Sequence, residues 1–428
     1  MRAGGGDQEG GAAGRLAAAL IMRMQPSRYG LVSVDEARKI VLDRTPVLEP
    51  EEVALADAFG RVLAEDVRSE ENIPPFAASR VDGYAVVAAD ESATRVVLAE
   101  ITAGRVGEVV VRPGVAARIM TGAPLPAGAD AVVMVEDTSE AGEVVTIRGR
   151  VKSGENVHGA GLDLSVGQVA LPAGSQVGPP EIGLLATLGR VRLRVRRRPR
   201  VAVLATGDEL VDAGDLPGAG GIRDANRPSL FAAVTDAGGV PLSLGIGRDS
   251  LAEQERLIRR GLAEADVLVT SGGVSVGSRD LIKPILERLG EVHVGRVAIK
   301  PGKPFTFATA GGRLAFGLPG FPVSTLVTFE VFVRPALRKM QGYAEVQRPR
   351  VEVEVEHEFR PSPDRTEYQR AVVRWESGRL VGRTTGSQVS SRLLSMIGAN
   401  ALIVVERGEK PLPKGTVVPA YLTGPLAT

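Results

Sequence analysis

From Val201 onward, short apolar runs alternate with longer amphipathic stretches. The runs are mainly apolar, as in buried parallel strands, and apolar residues recur at helical spacing between them. The last run is followed by LPGFPVS and an apolar helix ending near residue 340. Strands that alternate with helices predict a doubly wound α/β domain. The predicted strands are 201–207, 241–247, 266–270, 291–299 and 314–318.

The pattern changes on both sides of this domain. Ser33 is a predicted N-cap, followed by a helix with Val34, Ala37 and Val41 on one face, and Glu51 to Ala58 is predicted as a second short helix. Strand-like segments with frequent glycine predict an inserted β domain, and alternation at period two after Gln347 predicts a β-barrel or sandwich. The fold class is therefore multidomain α/β plus β. The predicted segments are a disordered leader at 1–26, a discontinuous and partly helical linker domain at 27–66 and 160–198, the inserted small β domain at 67–159, the α/β domain at 199–342, and a C-terminal β-barrel domain at 343–428.

Two loops in the α/β domain suggest an anion-binding site. The run at 266–270 ends in SGGVSVGSRD, where Gly272 and Gly273 allow the backbone to approach a ligand. The run at 291–299 ends in KPGKP, which places Lys300 and Lys303 on a proline-stiffened turn. Glycine serves many such loops for geometry alone, and paired surface lysines are often only solvated. Both loops follow predicted strands of one sheet, which favours a site.

Acidic side chains follow the other predicted strands. Glu209 follows the first strand, Asp249 the second, and Asp280 closes the loop after the third. The carboxyl ends of parallel strands share one edge of a sheet, so these acids should lie near the two lysines. Carboxylates beside lysines suit Mg²⁺ and an anionic substrate, although each acid alone also fits a helix cap or a surface charge.

Composition narrows the classes of function. The net charge is +1 and aromatic residues are 4% of the chain, which argues against a nucleic-acid partner; the basic run at 191–200 is better explained as a strand with a solvated face. The absence of cysteine excludes disulfides and thiolate metal sites. The apolar patch at 16–22 is too short for a signal peptide, and no segment approaches the roughly 20 apolar residues of a membrane span. We therefore expect a soluble cytoplasmic protein without a membrane partner.

Eight motifs occur in order after residue 30. They are VDGYA, RIMTGAPLPAGADAVV, GENV, ATGDEL, TSGGVSVG, KPGKP, LPG-x-PVS and SSRLLSM. In this order they resemble the molybdopterin molybdenumtransferase family, which comprises bacterial MoeA and the matching domain of gephyrin. The resemblance implies a MogA-like doubly wound α/β domain and insertion of molybdate into adenylylated molybdopterin, with Mg²⁺ and release of AMP. It also implies a homodimer, with transient contacts to the adenylyltransferase and to acceptor molybdoenzymes.

The resemblance also implies roles for individual residues. Residues from the inserted region would reach the cleft of a neighbouring subunit, and one serine of the Ser390–Ser391 pair would contact an oxyanion. The implied metal ligands are Asp249 and Asp280. The implied catalytic residues are Asp82, Thr121, Asp163, Glu209, Asp249, Asp280 and Lys300. The implied substrate-binding residues are Thr206, Ser271, Gly272, Gly273, Ser275, Gly277, Pro301, Gly302, Lys303, Pro304, Ser324, Arg370 and Ser391.

The chain departs from the family pattern next to this site. Phe321 stands where the family usually has Asn, in LPGNPVS, and Ala77 replaces the usual Asp. Three alternatives to the transferase stay open on the sequence: a catalytically altered paralogue, a non-catalytic dimeric scaffold, and an adenylyltransferase of the same pathway. The adenylyltransferase is disfavoured because its loop usually reads SGGTG, whereas this one reads SGGVSVG.

Overall fold

The computed structural model describes residues 29–104, 109–274 and 281–427. The chain divides into two compact units. We call the first the large unit; it contains the described residues up to Glu51, Gly60–Val62 and the described residues from Val195 onward. The small unit contains Glu52–Phe59 and Leu63–Arg194. The finer division into five segments stays a prediction.

A six-stranded mixed sheet forms the centre of the large unit. Four neighbouring strands are parallel, the fifth is antiparallel to the fourth, and the sixth is antiparallel to the fifth. Five of the six strands therefore run in one direction, and their carboxyl ends lie at one edge. In spatial order the strands are Val240–Gly247, Arg200–Thr206, Val267–Ser271, Arg313–Leu318, Thr306–Ala310 and Glu291–Val294.

Helices cover both faces of this sheet, because successive strand residues point to opposite sides. Val201 and Val203 belong to one buried cluster, while Ala202 and Leu204 belong to another. The first cluster includes side chains of Val34–Asp43, Asn226–Asp236 and the long helix Pro322–Thr328, Phe329–Val333 and Arg334–Met340, whose middle segment is a π-helical turn. The second includes side chains of Leu251–Glu264 and Ile282–Leu289. The predicted doubly wound domain is confirmed.

Two predicted elements were wrong. The run at 291–299 is not one strand, because Glu291–Val294 ends before Gly295 and Ile299–Lys300 pairs instead with Thr366 and Glu367 of the C-terminal sheet. A Cβ on Gly295 would lie 2.4 Å from the Tyr29 ring, so this turn needs glycine there. The segment predicted as the helix Glu51 to Ala58 forms the strand Pro50–Ala54 and a single 3₁₀ turn, Leu55–Asp57. It is too short for a stable helix before the positive-φ Gly60.

A closed five-stranded barrel ends the chain. Thr366–Glu376 pairs with strands on both sides, so the ring has no open edge. Its core contains Val353, Ala371, Ile403 and Ala420. The predicted C-terminal barrel is confirmed. Around the ring the strands are Thr366–Glu376, Arg379–Thr384, Arg350–Val355, Val417–Leu422 and Ala401–Val405.

The small unit contains a curled six-stranded sheet, two short strand pairs and the helix Pro179–Thr187. The sheet order is Ala131–Met134, Gly83–Val86, Val115–Ile119, Thr94–Ile101, Val144–Ile147 and Thr138–Ala141. The short pairs are Val67–Arg68 with Val169–Leu171 and Ala78–Ser79 with Val157–His158. In the parts of the chain described, no helix has both the length and the apolar character of a membrane span.

Candidate functional site

A cleft of about 1010 Å³ opens at the carboxyl edge of the parallel strands in the large unit. Loops of the α/β domain and of the barrel contribute to it. Twelve of the residues predicted from the sequence line this cleft. They are Thr206, Glu209, Asp249, Ser271, Gly272, Gly273, Lys300, Pro301, Gly302, Lys303, Pro304 and Ser324.

Five other predicted residues do not line the cleft, and three more lie outside the described residues. Arg370 and Ser391 do not line the cleft among the residues described, although the neighbouring Ser390 does. Asp82, Thr121 and Asp163 belong to the small unit. The predicted Ser275, Gly277 and Asp280 lie outside the described residues.

Two strand ends meet at the floor of the cleft. Thr206 Oγ1 donates to the Ser271 carbonyl at 3.3 Å. Gly272 has φ +93°, and a Cβ there would lie 2.8 Å from the Thr206 carbonyl oxygen. Any larger residue at position 272 would therefore push the two backbones apart. The glycine pair keeps bare backbone at the surface of the cleft, where a ligand can approach it.

Asn226 joins two of the loops and was not predicted from the sequence. Its Nδ2 donates to Ser271 Oγ at 2.6 Å and to the Gly320 carbonyl at 2.7 Å. Asn226 is the first residue of the helix Asn226–Asp236. A single asparagine at a helix start gives no sign of a tertiary role, because such residues commonly serve local capping.

The acids at the cleft are tied to the loop after the first strand. The Asp249 N–H donates to Asp208 Oδ1 at 3.0 Å. Arg248 Nη1 donates to the carbonyls of Asp208 and Leu210, each at 3.0 Å. These hydrogen bonds join the loop that carries Asp249 to the loop that carries Glu209. Both acids line the cleft.

The oxygen donors suit a hard cation. Across the described ranges no group of three His, Asp or Glu side chains could hold a metal. Mg²⁺ commonly uses one or two carboxylates, with water and substrate phosphates completing its six ligands. Glu209 and Asp249 fit that requirement when a phosphate-bearing substrate supplies the remainder.

Lys300 reaches the cleft from the short strand that joins the barrel. Its Nζ lies 2.9 Å from Glu367 Oε1 and 3.3 Å from Ser362 Oγ, and the Glu367 side chain is only 5% exposed. Glu367 was not predicted. The buried Glu367 carboxylate fixes the position of the Lys300 ammonium group at the cleft. Lys303 lines the same cleft and has no ion pair within the described part of the chain, so its charge can meet an anionic ligand.

The KPGKP turn depends on its central glycine. Gly302 has φ +121°, and a Cβ there would lie 2.3 Å from Thr328 Cγ2 on the long helix. Both the backbone angle and the packing exclude a side chain. The turn therefore packs closely against the helix at Gly302. Lys300 and Lys303 flank this glycine in the sequence.

Arg370 supports the barrel's contribution to the cleft. It is 1% exposed, and burial lowers the pKa of its guanidinium to about 10. Its backbone N–H donates to Gln388 Oε1 at 2.9 Å, and Gln388 Nε2 donates back to the Arg370 carbonyl at 3.2 Å. The segment that Arg370 contacts lines the cleft with Gln388, Val389 and Ser390. Arg370 therefore stabilises this segment without lining the cleft itself.

Phe321 lines the cleft with 59% of its surface exposed. It is the N-cap residue of Pro322–Thr328 and makes no side-chain capping bond. The Val323 N–H behind it donates to the Ser390 carbonyl at 3.2 Å, which joins the helix start to the barrel segment.

In the small unit, Asp82 and Thr121 form one constellation. The Thr121 N–H and Oγ1 donate to Asp82 Oδ1 at 2.7 and 2.8 Å. These bonds, the backbone N–H first, lower the pKa of Asp82. The carboxylate therefore stays ionised on an exposed loop. Asp163 is exposed, and its N–H donates to the Ile73 carbonyl at 3.0 Å.

The chain matches three family profiles that together cover most of its length. Residues 32–189 match the MoeA N-terminal region (domain I and II). Residues 202–339 match a probable molybdopterin binding domain, and residues 352–423 match the MoeA C-terminal region (domain IV). The lysines and acids of the cleft lie in the second segment.

Relatives at the level of the whole chain carry consistent names. A molybdopterin molybdenumtransferase of Bacillus subtilis is 36% identical, over 91% of this chain and 94% of that protein. A gephyrin of Dictyostelium discoideum is 37% identical over 94% of this chain, which spans only 63% of the gephyrin. The crystal structure of a molybdopterin biosynthesis MoeA protein from Pyrococcus horikoshii is 31% identical, with a TM-score of 0.80 and coverage of 92% of this chain and 100% of that one.

Proposed function

This chain belongs to the MoeA family, and on that premise we propose that it is a molybdopterin molybdenumtransferase acting in molybdenum cofactor biosynthesis. In the proposed reaction, molybdate enters the dithiolene of adenylylated molybdopterin, and the adenylate is hydrolysed to release AMP. The dithiolene sulfurs belong to the substrate, so an enzyme without cysteine can perform this chemistry.

The observation that carries the proposal is the set of groups at one cleft. Lys300, Lys303, bare glycine backbone and carboxylates that include Glu209 and Asp249 line the same volume of about 1010 Å³. Lysine ammonium groups and backbone N–H groups bind phosphate oxygens and tetrahedral dianions through charge-assisted hydrogen bonds. The volume is at the upper end of ordinary ligand pockets, which suits a pterin joined to a nucleotide.

Asp249 would hold Mg²⁺ in this scheme, with Glu209 as a second carboxylate at the cleft. The other metal ligand that the resemblance implies, Asp280, lies outside the described residues. When bound, the cation would neutralise charge on the phosphate groups as the adenylate is cleaved. Lys300, which lines the same cleft, would stabilise the same charge. Its pairing with Glu367 at 2.9 Å orients the ammonium before substrate arrives.

The proposal includes a homodimer in the cytoplasm. Asp82, Thr121 and Asp163 would serve the cleft of the second subunit, consistent with an ionised Asp82 on an exposed loop. Transient contacts with the adenylyltransferase and with acceptor molybdoenzymes would deliver substrate and receive product.

The test is a reconstitution with purified full-length protein. Adenylylated molybdopterin is incubated with molybdate, with and without Mg²⁺, and AMP is measured by chromatography. Active cofactor is measured by activation of an apo-molybdoenzyme. We expect AMP and active cofactor only when molybdate and Mg²⁺ are both present. AMP without active cofactor would show hydrolysis alone, and neither product would refute the proposed activity.

A further inference from the structure

We propose that Phe321, together with Val389, forms an apolar subsite that stacks on a planar heterocycle of the substrate and so sets how tightly the substrate binds. The inference rests on the proposed function, because that function supplies a ligand with a pterin and an adenine. Phe321 would act on binding and not on the chemical step.

The first argument is the exposure of two apolar side chains at one place. Phe321 is 59% exposed and Val389 is 56% exposed, and both line the cleft. The bond from the Val323 N–H to the Ser390 carbonyl, 3.2 Å long, holds their two segments together. An exposed aromatic ring gains nothing from the hydrophobic effect until another molecule covers it. A ligand in the cleft would provide that cover.

The second argument is that Phe321 does nothing for the helix it precedes. Ser, Thr, Asp and Asn are the residues that cap a helix at this position. Phe321 makes no side-chain capping bond with Pro322–Thr328. The helix start would be better served by a small polar residue. The aromatic ring therefore does not contribute to capping of this helix.

The third argument is that hydrogen bonds fix the backbone of the loop that carries the Phe321 ring. The Phe321 carbonyl accepts from the Thr325 N–H at 2.9 Å and from Thr325 Oγ1 at 3.0 Å. Thr325 Oγ1 also donates to the Pro319 carbonyl at 2.6 Å, and Asn226 Nδ2 holds the Gly320 carbonyl at 2.7 Å. A platform already held in place loses little conformational entropy when a ligand stacks on it.

The fourth argument is that the cleft has both charged and apolar lining groups. Lys300, Lys303 and the bare glycine backbone offer charge and N–H groups, whereas Phe321 and Val389 offer apolar surface. A molecule that carries both phosphate and a flat ring matches both kinds of lining group. Flat heterocycles stack favourably on aromatic side chains. Adenine and pterin share this chemistry, and experiment distinguishes them.

Calorimetry with two separate probes provides the test. AMP carries the adenine and 6-hydroxymethylpterin carries the pterin, and each is titrated into the full-length protein. We expect Phe321→Ala to raise the Kd of one probe about fivefold to a hundredfold, the range of base–aromatic stacking, and to leave the other unchanged. The affected probe identifies the ring that stacks. Phe321→Leu should bind as poorly as the alanine variant, while Phe321→Tyr should restore binding.

Phe59→Ala is the matched control. Phe59 is 63% exposed, lies in the small unit, and is not among the residues described as lining the cleft. Its substitution should leave both Kd values and the melting temperature unchanged. In turnover assays, Phe321→Ala should raise the KM for adenylylated molybdopterin while kcat stays near its original value.

Three results would overturn the inference. They are unchanged binding of both probes in Phe321→Ala, full binding in Phe321→Leu, and failure of the unmodified protein to bind either probe. The proposed function fails separately, when the unmodified protein makes no molybdate-dependent cofactor. The binding experiment still decides the stacking role in that case.

Discussion

Lys300 Nζ lies 2.9 Å from Glu367 Oε1, and this pair joins the KPGKP turn to the C-terminal barrel. Glu367 also accepts from Ser362 Oγ at 2.5 Å and from Gln369 Nε2 at 3.1 Å. The carboxylate is thus built into the barrel, whereas the lysine is 45% exposed and faces the cleft. Glu367 of the barrel therefore positions the Lys300 ammonium group at the cleft.

Replacing Lys300 should therefore affect both activity and stability. In Lys300→Ala, the rate of AMP release should fall about a hundredfold, because a positioned cation is lost. The free energy of unfolding should fall by about 1–2 kcal/mol, because Glu367 is left buried without its cation. In the double variant Lys300→Ala/Glu367→Gln, stability should recover while activity stays low. Full turnover in Lys300→Ala would contradict the assignment of this residue.

Asn226→Ala should loosen two loops of the cleft. The side chain bridges Ser271 Oγ and the Gly320 carbonyl, at 2.6 and 2.7 Å. Its loss should raise the KM for adenylylated molybdopterin about tenfold, since misplaced binding groups weaken substrate binding. Ser229→Ala is a control on the same helix, because its hydroxyl donates to the Ala225 carbonyl one turn earlier and not to another loop of the described chain. Equal KM values in the two variants would show that the bridge has no role in binding.

Gly302→Ala should disrupt the KPGKP turn. The substitution meets both a φ of +121° and a Cβ contact of 2.3 Å with Thr328. Gly312→Ala provides a matched control, since Gly312 has φ +76° but nothing within 4 Å of its added Cβ. Both variants should lose about 1 kcal/mol of stability through backbone strain. Gly302→Ala should lose more, and AMP release should fall only in that variant. Similar activity in both would mean that the turn tolerates displacement.

Glu209→Gln and Asp249→Asn should weaken the response to Mg²⁺. Removing one carboxylate should raise the Mg²⁺ concentration for half-maximal AMP release about tenfold, because fewer anionic oxygens hold the cation. Asp215→Asn, on an exposed turn, is the control. Titration of each variant with Mg²⁺ after treatment with EDTA provides the measurement. Unchanged titration curves would place the cation elsewhere.

Stability should decline in acid through Asp266. Burial by itself would raise the pKa of this carboxyl, but hydrogen bonds from Arg197 and the Arg200 N–H outweigh it, so the pKa is lowered. A lowered folded-state pKa stabilises the protein above the unfolded value of about 3.9, and this contribution is lost as the pH falls through the folded-state pKa. Urea unfolding at pH 7 and pH 3 should show a smaller difference for Asp266→Asn than for the unmodified protein. An equal difference would assign the acid sensitivity to other groups.

Much of the fold was predictable from local pattern. The runs VAVLA and VLV are apolar at every position, which is typical of parallel strands with both faces buried, so they predicted a sheet covered by helices on both sides. Period-two alternation after residue 347 likewise predicted the barrel. The residues at the ends of the parallel strands, including Glu209, Asp249 and Ser271, followed from the rule that such ends share one edge.

The partners of these residues could not be predicted in the same way. The local sequence around Ile299–Lys300 predicts a strand of the α/β sheet. In the structure these residues pair instead with Thr366 and Glu367 of the C-terminal barrel, 67 positions along the chain. Asn226 looks like any helix start, and Arg370 looks like a surface arginine in an alternating strand. Nothing local marks such a side chain as a bridge or a support.

By itself, the sequence determined the periodicity of each element, the glycine turns and the order of the family motifs, because those depend on neighbours within a few residues. Only the tertiary structure decided which distant side chains complete the cleft. Hydrogen bonds and buried ion pairs form between whichever groups the packed chain brings within about 3 Å, and that proximity is a property of the whole fold.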